Sequence, residues 1–417
     1  MNADTPRRGD HLVRADRGFS TGGGGCLSRW LAPAFHRVLD RVDRGLAEGA
    51  IEATLPDGRQ RLLGGRKPGP VAIVTLHDWR PLMRLILSGS VGWYRSWADG
   101  EWSSPDPVPL FDLFMRNRVA LGATARAHGW GRIANRIAHA WRRNDPRGSR
   151  RNIAFHYDLG NDFYAAWLDP GMTYSSALFG TRDEPLEQAQ RRKIGALLDR
   201  LETRPGDRLL EIGCGWGSLA AVAARDYGLA VTGLTLSEEQ KAWADAQLRG
   251  DAEIALRDYR DETGVYDAVA SVEMVEAVGM EYWPTYMAAI ARALKPGGRA
   301  AIQYIAIDDA VFDKYAASAD FIQTYVFPGG MLISESRFRA AAETAGLAWQ
   351  DRTGFGDHYA ETLRQWRVRF DDAVTGGRLP AGFDDRFVRL WRYYLMYCEG
   401  GFRGGGIDVA QVTLVKR

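Results

Sequence analysis

Cysteine is scarce in this chain. Cys26, Cys214 and Cys398 are the only three in 417 positions, and they stand far apart. That excludes a disulfide framework and offers no zinc spacing, so no metal site is expected and a reduced cytoplasm suits the chain. Long apolar runs are missing too; none reaches the roughly 20 residues of a membrane-spanning helix. The N-terminal stretch "MNADTPRRGDHLVRADRG" is polar and lacks the apolar core of a signal peptide. Neither sign of charge dominates: the net charge is +2, so any basic surface must be local. What is there is an ordinary soluble composition, 46% apolar and 25% charged, on a chain long enough for two domains. If such a protein handles lipid, it does so from the cytoplasmic side, resting on the inner face of the membrane.

Residues 1–25, polar and ending in "STGGGG", read as a disordered arm. Residues 26–131 read as a smaller N-terminal α+β domain. In it "VAIVTL" (71–76) has the pattern of a strand, and "WRPLMRLILSG" (79–89) that of a helix stopping near Gly89. Residues 132–151, "RIANRIAHAWRRNDPRGSRR", are basic with only Asp145 opposing. They are either a solvated linker or a patch for anionic lipid headgroups, worth about 1 kcal/mol per basic side chain. No nucleic-acid motif accompanies the charge, so nucleic acid is not an expected partner.

From residue 152 to 417 helix and strand patterns alternate. Helices are read at 188–201, 218–228, 238–249 and 282–298, with strands at 207–215, 230–237, 266–274 and 299–307. Strands separated by helices predict a parallel, doubly wound sheet.

"LLEIGCGWG" (209–217) places Gly213, Gly215 and Gly217 between a buried strand and a helix. Glycine there lets the backbone pass close to a ligand at the carboxyl end of the sheet. The spacing is GxGxG, not the GxGxxG of dinucleotide binders, and the next strand ends in "TLSEEQ" with no acidic residue at its tip for a ribose. Both details argue against a dinucleotide, and the pattern resembles that of S-adenosylmethionine (SAM) methyltransferases, where the glycine turn faces the amino-acid part of the cofactor. A second feature is "SVEMVEAVGMEYW" (271–283), which sets Glu273 and Glu276 among apolar neighbours, although a buried carboxylate is costly without partners.

Seven segments occur in the order of one known family. They are "FHYDLGNDFYAAWLDPGMTYSSALF" (155–179), "LLEIGCGWGSLA" (209–220), "GLTLSEEQ" (233–240), "RDYRD" (257–261), "YVFPGGML" (325–332), "FGDHYAETLRQW" (355–366) and "YYLMYCEGGFR" (393–403). Together they are similar to the cyclopropane-fatty-acyl-phospholipid synthases, related to the mycolic acid cyclopropane synthases. The resemblance spans about 152–403, and the N-terminal third resembles the smaller lipid-associating domain of full-length members.

The resemblance implies a doubly wound SAM-methyltransferase (Rossmann-like) sheet. It also implies methyl transfer from SAM to a cis double bond of an unsaturated phospholipid acyl chain. The alkene attacks the sulfonium methyl, a carbocation forms, and proton loss from the added methyl closes a cyclopropane. A methyl- or methylene-branched product from the same cation is the alternative, and a small-molecule methyltransferase a more distant one. The implied partners are an unsaturated phospholipid and an anionic membrane surface, with a homodimer also compatible.

For the cofactor, the resemblance places Tyr174 and Ser175 at the methionine portion and Gly213, Cys214 and Gly215 in the turn. Thr235 and Gln240 fall near the ribose, Tyr259 and Arg260 near adenine. A bicarbonate ion, the family's proposed base, would be held by Glu276 and Tyr359; the alternative is that the anion binds differently or is absent, with Glu276 itself as the base. Gln303 and Ser176 stand where the family has histidine and cysteine, and nearby Ile305 is kept. Glu273 stands where relatives often have a small residue; it reads either as supplementing the site or, the preferred reading, as pointing to solvent. For Glu276 the structural alternatives are a helix cap or a buried ion pair. Cys398 matches a cysteine once proposed as catalytic, but alkylating an alkene needs no thiol, so it reads as structural. His156 reads as orienting a loop.

Overall fold

The computed structural model describes residues 8–13, 32–121, 159–181, 183–317 and 320–417. Contacts divide the chain into two units that interleave in sequence. One takes Met1–Trp141, Ala310–Pro328 and Ala381–Ile407; the other takes Arg142–Asp309, Gly329–Pro380 and Asp408–Arg417. Within the stretch 152–417, Ala310–Pro328 and Ala381–Ile407 group with the N-terminal residues. The basic stretch 132–151, Cys26 and His156 lie outside the described residues.

The first unit holds a four-stranded sheet of β1 (Ala50–Thr54), β2 (Gln60–Gly64), β3 (Val71–Leu76) and β4 (Trp102–Ser103), in the order β2-β1-β3-β4. Strand β1 pairs antiparallel with β2 and parallel with β3. β3 spans the residues read as a strand. The helix read to stop at Gly89 instead runs Arg80–Ala98, with Gly89 as an interior kink at φ 59°. Only glycine accepts that backbone cheaply, so the kink replaces the stop. Part of the arm read as disordered is also folded. Asp10–Val13 is a helical turn, Leu12 is fully buried, and the Arg8 guanidinium lies over the Phe383 ring.

The second unit holds a seven-stranded sheet. Its strands are β5 (Arg208–Ile212), β6 (Ala230–Thr235), β7 (Glu253–Leu256), β8 (Tyr266–Val272), β9 (Leu294–Ile307), β10 (Leu347–Gly354) and β11 (Ile407–Lys416). The order is β10-β11-β9-β8-β5-β6-β7. From β7 to β9 neighbours run parallel, whereas β10 and β11 pair antiparallel. The sheet is thus mixed rather than wholly parallel. Order reverses at β5, between β6 and β8, and that switch point is where open α/β sheets bind ligands at the strands' carboxyl ends. The core on one side joins Leu209, Val231 and Ala268 of the strands to Leu197, Leu219 and Leu248 of the helices.

Candidate active site

At the carboxyl end of β5 the chain turns through Gly213, Gly215 and Gly217, all at positive φ (81°, 53° and 87°), into helix Ser218–Arg225. The amides of Gly213 and Cys214 donate to the Leu234 carbonyl at 3.0 and 2.9 Å, which fixes the turn against β6. A Cβ on Gly215 would meet nothing within 4 Å, so open space lies before this turn. Cys214 contributes its backbone amide to the turn. Its thiol packs into the core, and burial holds its pKa well above the ordinary thiol value.

The other cofactor positions converge on the same end of the sheet. Thr235 ends β6, and its hydroxyl donates to Gln240 Oε1 at 2.9 Å; Ser237 caps the next helix by accepting from the Gln240 amide. After β7, Asp258 takes Arg260 in a two-pronged pair, with Nε to Oδ1 at 2.8 Å and Nη2 to Oδ2 at 2.7 Å. The neutralised guanidinium then lies over the Tyr259 and Tyr282 rings, a flat wall suited to a purine. Tyr174 packs among Tyr164, Trp167 and Trp366, its ring centroid 5.2 Å from that of Trp366. Such aromatic faces favour a sulfonium by about 0.5–2 kcal/mol. Ser175 is gripped from helix Leu186–Asp199, its hydroxyl by Lys193 Nζ at 2.7 Å and its carbonyl by Gln190 at 2.8 Å. An open glycine turn, a polar step at β6 and an aromatic wall after β7 fit SAM.

The carboxylates depart from expectation. Glu273 does not point to solvent. Tyr359 Oη donates to its Oε2 at 2.7 Å, while the Ser176 amide and Gln303 Nε2 donate to its Oε1 at 2.9 and 2.7 Å. Its φ is 48°, a conformation costing a non-glycine residue roughly 1–2 kcal/mol. Ser176 thus acts through its backbone, and its hydroxyl turns away to the Ala177 carbonyl. Tyr359, Gln303 and Ser176 are the positions assigned to bicarbonate, but here they hold a side chain of the protein. A separate bicarbonate does not fit on donors already taken.

Glu276 follows β8 in a short turn, Val275–Ala277. Its Oε1 accepts from the Ile305 amide at 2.5 Å, and its Oε2 is buried with no partner. Neither a helix cap nor an ion pair accounts for it, since no basic side chain pairs with it among the described residues. Burial, and then the charge of Glu273, push its pKa up to about 8. Burial also raises Glu273, but Tyr359, Ser176, Gln303 and the field of Lys193 oppose that rise. Glu273, on three hydrogen-bond donors, is the better placed of the two to carry charge, and Glu276, with one donor and an unpartnered oxygen, to hold a proton. Burial likewise lowers Lys193 to about 8 and raises Glu211 to about 8.

Cys398 is not part of this unit. It lies in the other unit, on helix Asp385–Arg403, where burial and the Asp320 carboxylate keep its thiol protonated. Sequence reasoning missed Lys193, Gln190 and Gln411. A signal existed for the first two: both fall on the apolar stripe of their helix with Ile194 and Leu197.

An open α/β sheet with this strand order and this glycine turn defines a SAM-dependent methyltransferase. The chain belongs to the mycolic acid cyclopropane synthetase family, whose model matches residues 144–412. It is 40% identical to a tuberculostearic acid methyltransferase of Mycobacterium tuberculosis, over 80% of each chain. It is 35% identical to the cyclopropane-fatty-acyl-phospholipid synthase of Escherichia coli, over 79% of this chain and 84% of that one. Among solved structures, the mycolic acid cyclopropane synthase CmaA1 complexed with SAH and CTAB superposes with a TM-score of 0.60. That pair is 30% identical over 64% of this chain and 98% of the other.

Proposed function

We propose that the chain alkylates a cis double bond in an unsaturated phospholipid acyl chain, with SAM as donor. The observation that carries this is a pair of carboxylates, Glu273 on three hydrogen-bond donors and Glu276 with one oxygen unpartnered, together with an aromatic cluster and, among the described residues of the site, no thiolate or other strong nucleophile. Such a site suits a substrate that is itself the nucleophile and becomes a cation. The alkene's π electrons form a bond to the sulfonium methyl, and the S–CH3 bond breaks toward sulfur. The adjacent carbon is left positive. Loss of a proton from the added methyl then gives a cyclopropane.

A methylene-branched chain or a methyl-branched olefin, from proton loss at another position, is the second reading. It is favoured by the 40% identity to a relative named as a methyltransferase, and by Gln303 and Glu273, which depart from the cyclopropane-synthase pattern. The substrate is reached from the membrane surface. No described helix is long and apolar enough to cross a membrane, and the N-terminal sheet exposes Leu62, Val71 and Ile73. Expression in a bacterium rich in monounsaturated phospholipid tests the proposal. Acyl chains one CH2 heavier should appear, and proton NMR should show either ring or vinylidene protons. Unaltered acyl chains in cells making folded protein would contradict it.

A further inference from the structure

Three donors converge on one carboxylate, and each is held from behind. Tyr359 projects from helix Gly356–Thr375, whose Thr362 hydroxyl accepts the Ala177 amide at 3.0 Å and so binds that helix to the segment carrying Ser176. Gln303 has its amide orientation fixed. Its Oε1 accepts from Gln411 Nε2 at 3.1 Å, while Gln411 Oε1 accepts from Arg200 Nε at 3.3 Å. Flipping either amide would set like against like, so the Gln303 NH2 must face Glu273. The relay Arg200, Gln411, Gln303 points its donors inward, toward negative charge. The glutamate at its end sits at φ 48°, where strain persists only when the surroundings over-determine it. Donors, orientation and strain all serve an anion at this point, and the chain supplies that anion itself.

We infer that the Glu273 carboxylate is the resident anion of this site and accepts the proton that ends the reaction, in place of any external bicarbonate. The inference takes acyl-chain alkylation as its reaction. Of the carboxylate oxygens, Oε1 already accepts two hydrogen bonds and Oε2 one, which leaves a lone pair on Oε2. In the step, a C–H bond of the added methyl breaks. Its electron pair enters the new carbon–carbon bond, cancelling the positive charge, and the proton forms O–H on Oε2. Solvent removes that proton after product leaves. Gln303 is a positioning residue, and so is Gln411 behind it.

The test uses the full chain in carbon-dioxide-depleted buffer, with 13C-bicarbonate binding read by NMR and turnover read on monounsaturated phospholipid vesicles. Wild type should show no saturable bicarbonate binding and a rate within about twofold with or without the ion. Glu273→Gly should gain saturable binding and depend on bicarbonate for turnover. Glu273→Gln, which keeps the shape and loses the charge, should lose at least about 100-fold in rate while retaining SAM affinity. Saturable bicarbonate binding by wild type, a bicarbonate-dependent wild-type rate, or a Glu273→Gln variant with near-wild-type turnover would each overturn the inference. If no form alkylates the lipid, the acyl-chain reading fails, and the binding measurement alone still decides whether Glu273 fills the anion's place.

Discussion

Glu276 carries a buried oxygen with no donor, and its raised pKa follows. In the unfolded chain Glu276 titrates near the ordinary glutamate value of 4.5, and in the folded chain at about 8. Between those values the folded state holds a proton that the unfolded state has released, so stability falls as pH rises through that window and levels off above it. Glu276→Gln removes the titration. Its melting temperature should rise relative to wild type as pH goes from about 5 to about 8, by a few °C in all. A gap that stays constant with pH would mean that Glu276 is solvated. At this scale the sequence was uneven. Tyr359 and Ser176 were legible because they sit in motifs, and Gln303 because it lies on the strand read at 299–307. Glu273 was legible only as one of two readings, since an acidic residue just past a strand tip ordinarily faces water, whereas here it takes a left-handed backbone and three hydrogen-bond donors. Lys193 and Glu211 show the same limit: their charges are buried at positions whose periodicity is apolar.

The glycine turn is the element on which cofactor binding rests. Gly213 is a poor site for testing it, because a Cβ there would lie 2.7 Å from Met274 Cγ and disturb the protein itself. Gly215 faces open space, so a side chain there meets only the ligand. Gly215→Ala adds modest left-handed strain of about 1–2 kcal/mol. It should lower SAM affinity at least about tenfold by calorimetry, with the fold retained. Equal affinity in variant and wild type would remove the turn from the cofactor site. The strands flanking this turn were readable as apolar runs. Three others were not. β7 is only four residues, "EIAL". β10, "LAWQDRTG", is largely exposed and polar, with an edge strand's composition. β11 is buried along most of its length, but its insertion between β9 and β10 depends on pairing between distant segments.

At the scale of the whole molecule, the interleaved units were invisible to a linear reading. Ala310–Pro328 and Ala381–Ile407 return to the N-terminal unit through contacts far apart in sequence, which no local pattern encodes. Membrane engagement also belongs here. The basic stretch at 132–151 predicts reversible binding to anionic vesicles that weakens with salt. Replacing Arg142, Arg143, Arg150 and Arg151 with Gln should reduce co-sedimentation several-fold at low salt, with the difference shrinking at high salt. An unchanged bound fraction at both salt levels would shift the role to the exposed Leu62, Val71 and Ile73.

One measurement bears most directly on acyl-chain alkylation through a cation. Purified protein is given SAM labelled as CD3 and vesicles of a monounsaturated phospholipid, and the released fatty acids are analysed by mass spectrometry. The account predicts label in the acyl chain with two of the three deuterons retained, because the third leaves as the proton that Glu273 accepts. Label confined to the headgroup, or no label in lipid at all while SAM still binds, would contradict it.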